Sequence, residues 1–263
     1  MELTIAANDI IPVRALKDNY IWTILDREHQ RAFVVDPGDA KPVIDTLNQL
    51  QFSLGGILLT HHHADHSGGI AELKDYAGDI PVFASHLSKV KGVNHPVKDG
   101  DEIIIHPFKL KAMAIPGHTL DHTAYYIDKC LVFSGDTLFS GGCGRIFEGT
   151  PEMMFASLNK LLRLSDSTRL YCGHEYTVAN LRFSQTVEPN NKAIATKIAE
   201  ALAIENKGGC TLPSTLGDQR HINAFLRSEA PDVITAAEHH SGKKLSTPLE
   251  VFTAIREWKN NWS

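Results

Sequence analysis

Cysteine is scarce in this sequence and does not cluster: Cys130, Cys143, Cys172 and Cys210 are the only four in 263 residues, and no two form a CxxC pair. That spacing argues against a disulfide-framed scaffold and a thiolate metal site, and the expectation is reduced thiols packed in a core. No apolar run approaches the roughly 20 residues needed to cross a bilayer. The opening residues, MELTIAANDIIPV, lack a basic segment followed by an apolar one, so no secretory leader is read and a cytoplasmic protein is expected. Low-complexity tracts and blocks of like charge are absent as well. Hydrophobic residues at 43% and charged residues at 22% describe an ordinary globular chain, long enough for one large domain or two modest ones. Basic residues are in deficit, with a net charge of -5: through His174, 16 Lys and Arg face 21 Asp and Glu, whereas 10 of each follow. An acidic first part argues against a nucleic-acid surface and suits a protein whose excess charge is offset by bound divalent cations.

What is locally abundant is histidine. Thr60 to Gly69 reads THHHADHSGG, four histidines and an aspartate within six residues, His61 to His66. The apolar run Gly56 to Thr60 predicts a buried strand before it, and Ser67-Gly68-Gly69 predicts a helix entry after it. If extended backbone continues through the cluster, His61 and His63 point to one side and His62 to the other, so two imidazoles converge on one metal. Asp65 and His66, where the chain turns into the helix, are aimed differently and can serve a second metal.

Further strands are predicted at Ile10 to Leu16, Tyr20 to Leu25, Ala32 to Val35, Pro81 to Ala84, Glu102 to Ile105, Lys109 to Ile115, Ala124 to Ile127, Leu131 to Phe133 and Leu170 to Cys172. Helices are predicted at Lys41 to Leu50 and from about Gly69 to Tyr76. Three of the strands run into a metal-competent residue: His118, Asp136 and His174. Loops at one edge of a rigid sheet can thus gather distant residues into one site. After His174 the texture becomes helical, at Tyr176 to Val187, Lys192 to Glu205, Asp218 to Arg227 and Pro248 to Lys259. The boundary falls near residue 174, between a strand-rich α/β domain (1–174) and a mostly helical one (175–263).

THHHADHSGG, with Gly117-His118-Thr119, Gly135-Asp136-Thr137 and Gly173-His174-Glu175-Tyr176, resembles the metallo-β-lactamase superfamily. GDTLFSGGCGRIFEGT (Gly135 to Thr150) and YCGHEYT (Tyr171 to Thr177) are similar to the signatures of its glyoxalase II, or hydroxyacylglutathione hydrolase, family. The resemblance covers essentially the whole chain. It implies an αββα sandwich of two mixed sheets followed by a helical domain. It also implies two divalent metals, one on His61, His63 and His118, the other on Asp65, His66 and His174, with Asp136 bridging. Nitrogen and carboxylate donors suit zinc, with iron or manganese as alternatives.

The implied reaction is hydrolysis of S-D-lactoylglutathione to D-lactate and glutathione, the second step of methylglyoxal detoxification. Asp65 and Asp136 are the catalytic carboxylates, and the nucleophile is a metal-bridging hydroxide, since a metal lowers the pKa of bound water from 15.7 to roughly 7. Two divalent metals, two aspartates and that hydroxide leave the site near +1, which favours a developing oxyanion. A thiolate leaving group, whose conjugate acid has a pKa of about 8.5, scarcely needs an acid.

Substrate binding is carried over to Arg145, Arg256 and Lys259 for the glutathione carboxylate and to Tyr176 for the peptide part. Phe147 stands where some members have tyrosine. Without the resemblance, Arg256 and Lys259 read as a solvated helix face. His122 is read as structural. His29, His86, His95, His106, His221, His239 and His240 lie outside any ligand spacing, and Cys143 is expected to pack rather than attack. The expected partner is a small-molecule glutathione thioester, with no nucleic acid or membrane, and the expected state a monomer. A persulfide dioxygenase, a β-lactamase and a non-catalytic metal-binding module are the competing classes.

Overall fold

Alternation along the apolar strands explains the architecture. In Asn19–Asp26 every residue is buried, and successive side chains divide between two cores: Tyr20, Trp22 and Ile24 face one, Ile21 and Leu25 the other. Leu131 and Phe133 enter the same core as Tyr20, whereas Val132 between them points into a third. A strand covered on both faces needs a layer on either side. The computed structural model, which describes residues 9–106 and 108–262, accordingly has two six-stranded sheets face to face with helices outside each. This is the α/β sandwich of two mixed sheets, with a mostly helical tail, that the resemblance implied. Residues 1–8, on which the leader reading rests, lie outside the described part.

The first sheet has strands β1 (Ile10–Ala15), β2 (Asn19–Asp26), β3 (Arg31–Val35), β4 (Ser53–Leu58), β5 (Val82–Ser85) and β6 (His95–Val97), in that order across the sheet. The β1–β2–β3 pairs are antiparallel and the rest parallel. Its outer face is covered by α1 (Ala40–Leu50) and α3 (Ile70–Ala77), which follow β3 and the short α2 (Ala64–Ser67). In the second sheet, β7 (Glu102–Ile105), β8 (Phe108–Ala114), β9 (Thr123–Ile127) and β10 (Leu131–Gly135) form an antiparallel meander. A small hairpin, β11 (Leu138–Phe139) with β12 (Gly142–Cys143), and helix α4 (Pro151–Leu161) then lead to β13 (Arg169–Cys172), which pairs parallel with β10.

The helical tail comprises α5 (Thr177–Val187), α6 (Lys192–Glu205), α7 (Leu216–Ile222), α8 (Pro231–Ser241) and α9 (Pro248–Asn260). It packs on the outer face of the second sheet: Phe183, Leu216, Val233 and Phe252 share one core with Val132, Leu158 and Leu170. It also adds a strand, β14 (Ser214–Thr215), antiparallel to β13.

Several expected elements differ. The predicted strand Gly56 to Thr60 ends at Leu58: Leu59 N still donates to the Phe83 carbonyl at 2.8 Å, but the Thr60 carbonyl accepts from Thr123 N in the other sheet, also at 2.8 Å. The predicted helix Asp218 to Arg227 breaks at Asn223, which caps the turn Ala224–Leu226 with its side chain. Helices α4 and α8 were not predicted. Each begins with proline in its first turn, and Thr150 caps α4 by accepting from Met153 N, a bond worth about 1 kcal/mol.

Candidate metal centre

Loops after four strands meet at one rim of the sandwich. β4 leads into His61 to His66, β8 into His118, β10 into Asp136 and β13 into His174. Gly135 makes the turn at Asp136 with φ +48, a conformation that penalises a side chain. A β-carbon there would also strike Thr60 Oγ1 and the His122 ring.

The imidazoles converge in two groups. His63 Nδ1 lies 3.1 Å from both His61 Nε2 and His118 Nε2, and His66 Nε2 lies 3.2 Å from His174 Nε2. Asp65 Oδ2 is 3.4 Å from the Nε2 atoms of His66 and His174. Between the groups sits Asp136, 7% exposed, with carboxylate oxygens 3.4 Å from His66, 3.3 Å from His174 and 3.7 Å from His118. All seven residues singled out in the sequence are therefore brought together, and His62 turns away, as the alternation predicted, to Asp121 at 2.9 Å and Glu148 at 3.3 Å.

The outward hydrogen bonds decide what these rings present inward. His118 Nδ1 faces the Arg145 carbonyl at 2.7 Å, an acceptor, so that nitrogen carries the proton. His174 Nδ1 faces the Asp18 carboxylate at 2.8 Å, and His66 Nδ1 faces that of Asp36 at 3.1 Å. His61 Nδ1 lies 3.0 Å from Thr60 Oγ1, whose own hydrogen goes to Asp36, so it too donates. Four rings thus turn Nε2 toward the centre, the arrangement by which outer partners orient metal-binding histidines. Asp18 and Asp36 do not stand out in the sequence, since their histidine partners come from other elements, whereas Thr60 adjoins its partner His61 within the motif. Asp36-Pro37-Gly38 at a strand end was the one visible signal.

The charges fit a cation. Hydrogen bonds from His174 and His66 hold Asp65 far below the usual carboxylate range. Burial works to raise Asp136, but His66 and His174 hold it well below as well. Burial lowers His61, His63 and His118, keeping them neutral. On His174 burial also opposes charge, yet Asp136 and Asp65 lift its pKa to about 10, and His66 is likewise raised. The positive charge those carboxylates draw to the pair is what a divalent cation supplies. Asp136 Oδ1, buried and without a hydrogen bond, is free to ligate one.

His122 is structural, as expected: stacked on His61 with centroids 4.7 Å apart, it accepts the Asp136 N–H at 3.1 Å. Phe147 stands edge-on to His63 and His118, and Tyr176 stacks on His174 at 4.7 Å. Arg145 is exposed beside the centre. Arg256 is not on a solvated face: it is 6% exposed, and its NH1 donates to the Cys143 and Gly144 carbonyls at 2.8 and 3.3 Å. Lys259 is half-buried over Phe183 and Trp262. Cys143 packs, and burial raises its thiol pKa despite Arg256 nearby; all four cysteines are free.

A sandwich with this rim defines a member of the metallo-β-lactamase superfamily, and residues 19–174 match that superfamily's family model. Residues 175–262 match the model of the hydroxyacylglutathione hydrolase C-terminus. The chain belongs to the hydroxyacylglutathione hydrolase family. It is 47% identical to the hydroxyacylglutathione hydrolase of Alkalilimnicola ehrlichii, over 96% of this chain and 98% of that one. It is 45% identical to that of Nitrosomonas eutropha, over 97% and 99%. Among solved structures, ETHE1 from Myxococcus xanthus shares the fold with a TM-score of 0.68 at 23% identity, over 97% of this chain and 92% of that one. TTHA1623, solved in a di-iron-bound form, aligns with a TM-score of 0.59 at 26% identity, over 82% of this chain and all of the other. The family and the clustered His and Asp side chains make this a divalent-metal protein.

Proposed function

We propose that the chain hydrolyses the thioester of S-D-lactoylglutathione to D-lactate and glutathione, using two divalent metals, zinc being the best match to the donors. His61, His63 and His118 would hold one metal, Asp65, His66 and His174 the other, and Asp136 both. The observation that carries this reading is the Asp136 carboxylate set between two groups of inward-facing imidazoles, in a chain whose relatives are hydroxyacylglutathione hydrolases. The di-iron form of TTHA1623 supports the number of metals. Bound there, the metals supply hydroxide at neutral pH and polarise the thioester carbonyl.

The chain's own part is to hold both carboxylates ionised, to fix each imidazole by its outward bond, and to wall the rim with Phe147 and Tyr176. We assign the metal chemistry to residues 1–174 and substrate recognition to 175–263 together with Arg145, in a monomer acting in the cytoplasm. Supporting the recognition half, neither Arg256 nor Lys259 meets a carboxylate among the described residues, although burial and the neighbouring Arg256 depress Lys259 to about 8. Two cations held close without a counter-ion attract an anion such as the glutathione carboxylate. The test is to follow loss of S-D-lactoylglutathione and metal content on one sample. Turnover with two metals per chain is expected; protein carrying two metals that leaves the thioester intact would sink the proposal.

The Lys259 ammonium is present below about pH 8 and lost as pH rises through that value. On this reading kcat/KM, which reports the free enzyme, should decline through that range, and Lys259→Arg, charged throughout, should abolish the decline. An unchanged alkaline limb in the variant would remove Lys259 from substrate binding.

A further inference from the structure

Away from the rim, two histidines that sequence spacing left unassigned come together. The turn between β2 and β3 carries His29, the turn between β7 and β8 carries His106, and their rings meet edge-on with centroids 4.8 Å apart. Beneath them lies the Asp26 carboxylate, 1% exposed, with His29 Nδ1 at 2.9 Å from Oδ2 and 3.1 Å from Oδ1. One ligand atom from each of the three side chains falls within 4.8 Å of the others. The two turns belong to different sheets.

We propose that Asp26, His29 and His106 form a second, separate metal site, for one divalent transition ion such as zinc, which staples the two sheets together at this corner. Two imidazoles and a carboxylate are a zinc donor set, with the fourth position open to water on the exposed side. Metal–ligand distances of about 2.0–2.2 Å require the donors to close by roughly 1 Å, a movement open to both histidines because both are exposed. Arg31 does not block the ion: its NH2 lies 3.4 Å from Asp26 Oδ2, leaving to the metal Oδ1, which also accepts the His29 backbone N–H at 3.2 Å and keeps a further lone pair. The adjacent guanidinium weakens the site relative to the seven-residue centre, so this ion is the one removed first by mild chelation.

A metal that binds only the folded chain stabilises it by mass action. Holoprotein with its catalytic metals loaded is titrated at pH 8 with Zn²⁺, following heat of binding, metal per chain and Tm. One further equivalent is expected, with a rise in Tm of about 3 °C at tenfold excess over its Kd. His29→Ala and His106→Ala, both exposed and remote from the centre, should each lose that equivalent and the Tm shift while keeping basal turnover. Saturation of the wild type at the catalytic equivalents alone overturns the proposal, as does an extra equivalent that survives in the double variant.

Discussion

Asp136→Asn is expected to lower kcat by about 10²–10³-fold while the chain keeps its fold. Asparagine has the same shape and retains the backbone N–H bonded to His122, so the turn after β10 survives. What changes is charge and donor pattern. The carboxylate that reaches both imidazole groups becomes a neutral amide, which offers one ligand oxygen in place of two. Metal per chain should fall together with kcat. Loss of metal with full turnover would mark the centre as structural, and full metal with full turnover would remove Asp136 from the bridging position.

Arg256→Met should have the second largest effect, through the loop that follows the centre. The tail holds this loop one residue at a time. Gln219 accepts Gly141 N at 2.8 Å, Ser184 donates to the Gly141 carbonyl at 3.0 Å, Asn223 to that of Gly142 at 2.9 Å, and Arg256 to those of Cys143 and Gly144. The next carbonyl, of Arg145, orients His118. Removing a buried guanidinium that makes these bonds and stacks over Phe225 at 4.9 Å should cost about 2–4 kcal/mol of stability. Displacing His118 should lower kcat/KM roughly 10²-fold. The comparison that decides is between the full glutathione thioester and one lacking the glycyl residue. A cation serving only the glycyl carboxylate would leave the short thioester indifferent to the substitution; both should fall.

The seven clustered residues were legible because metal chemistry demands particular side chains, and strand geometry places them at strand ends. THHHADHSGG announced itself, and alternation alone separated His62 from its neighbours. The partners of those residues were not legible. Asp18 and Asp36 are ordinary turn aspartates until the fold carries them to His174 and His66. Arg256 resembles any helix arginine, since its partners are backbone carbonyls that leave no trace in sequence. The two-residue strand β14 is too short for any periodicity to signal, and it exists because β13 offers it an edge. Helix α4 is different: Thr150-Pro151, a capping threonine followed by proline in the first turn, is a start written in the sequence itself. His29 and His106 needed both sheets assembled before they could meet.

The proton-holding outer bonds of His61, His66, His118 and His174 bear on which ions the enzyme carries. Each ring is locked in orientation by the polypeptide, so the cage stays assembled through exchange of its contents. Chelated protein should reload without refolding. In the proposed two-metal centre, an oxygen-and-nitrogen donor set with no thiolate is open to zinc, iron or manganese, and selection among them falls to cage geometry and metal availability. Metal analysis of protein expressed with zinc, iron or manganese supplied in turn should then show a content that shifts with the ion supplied.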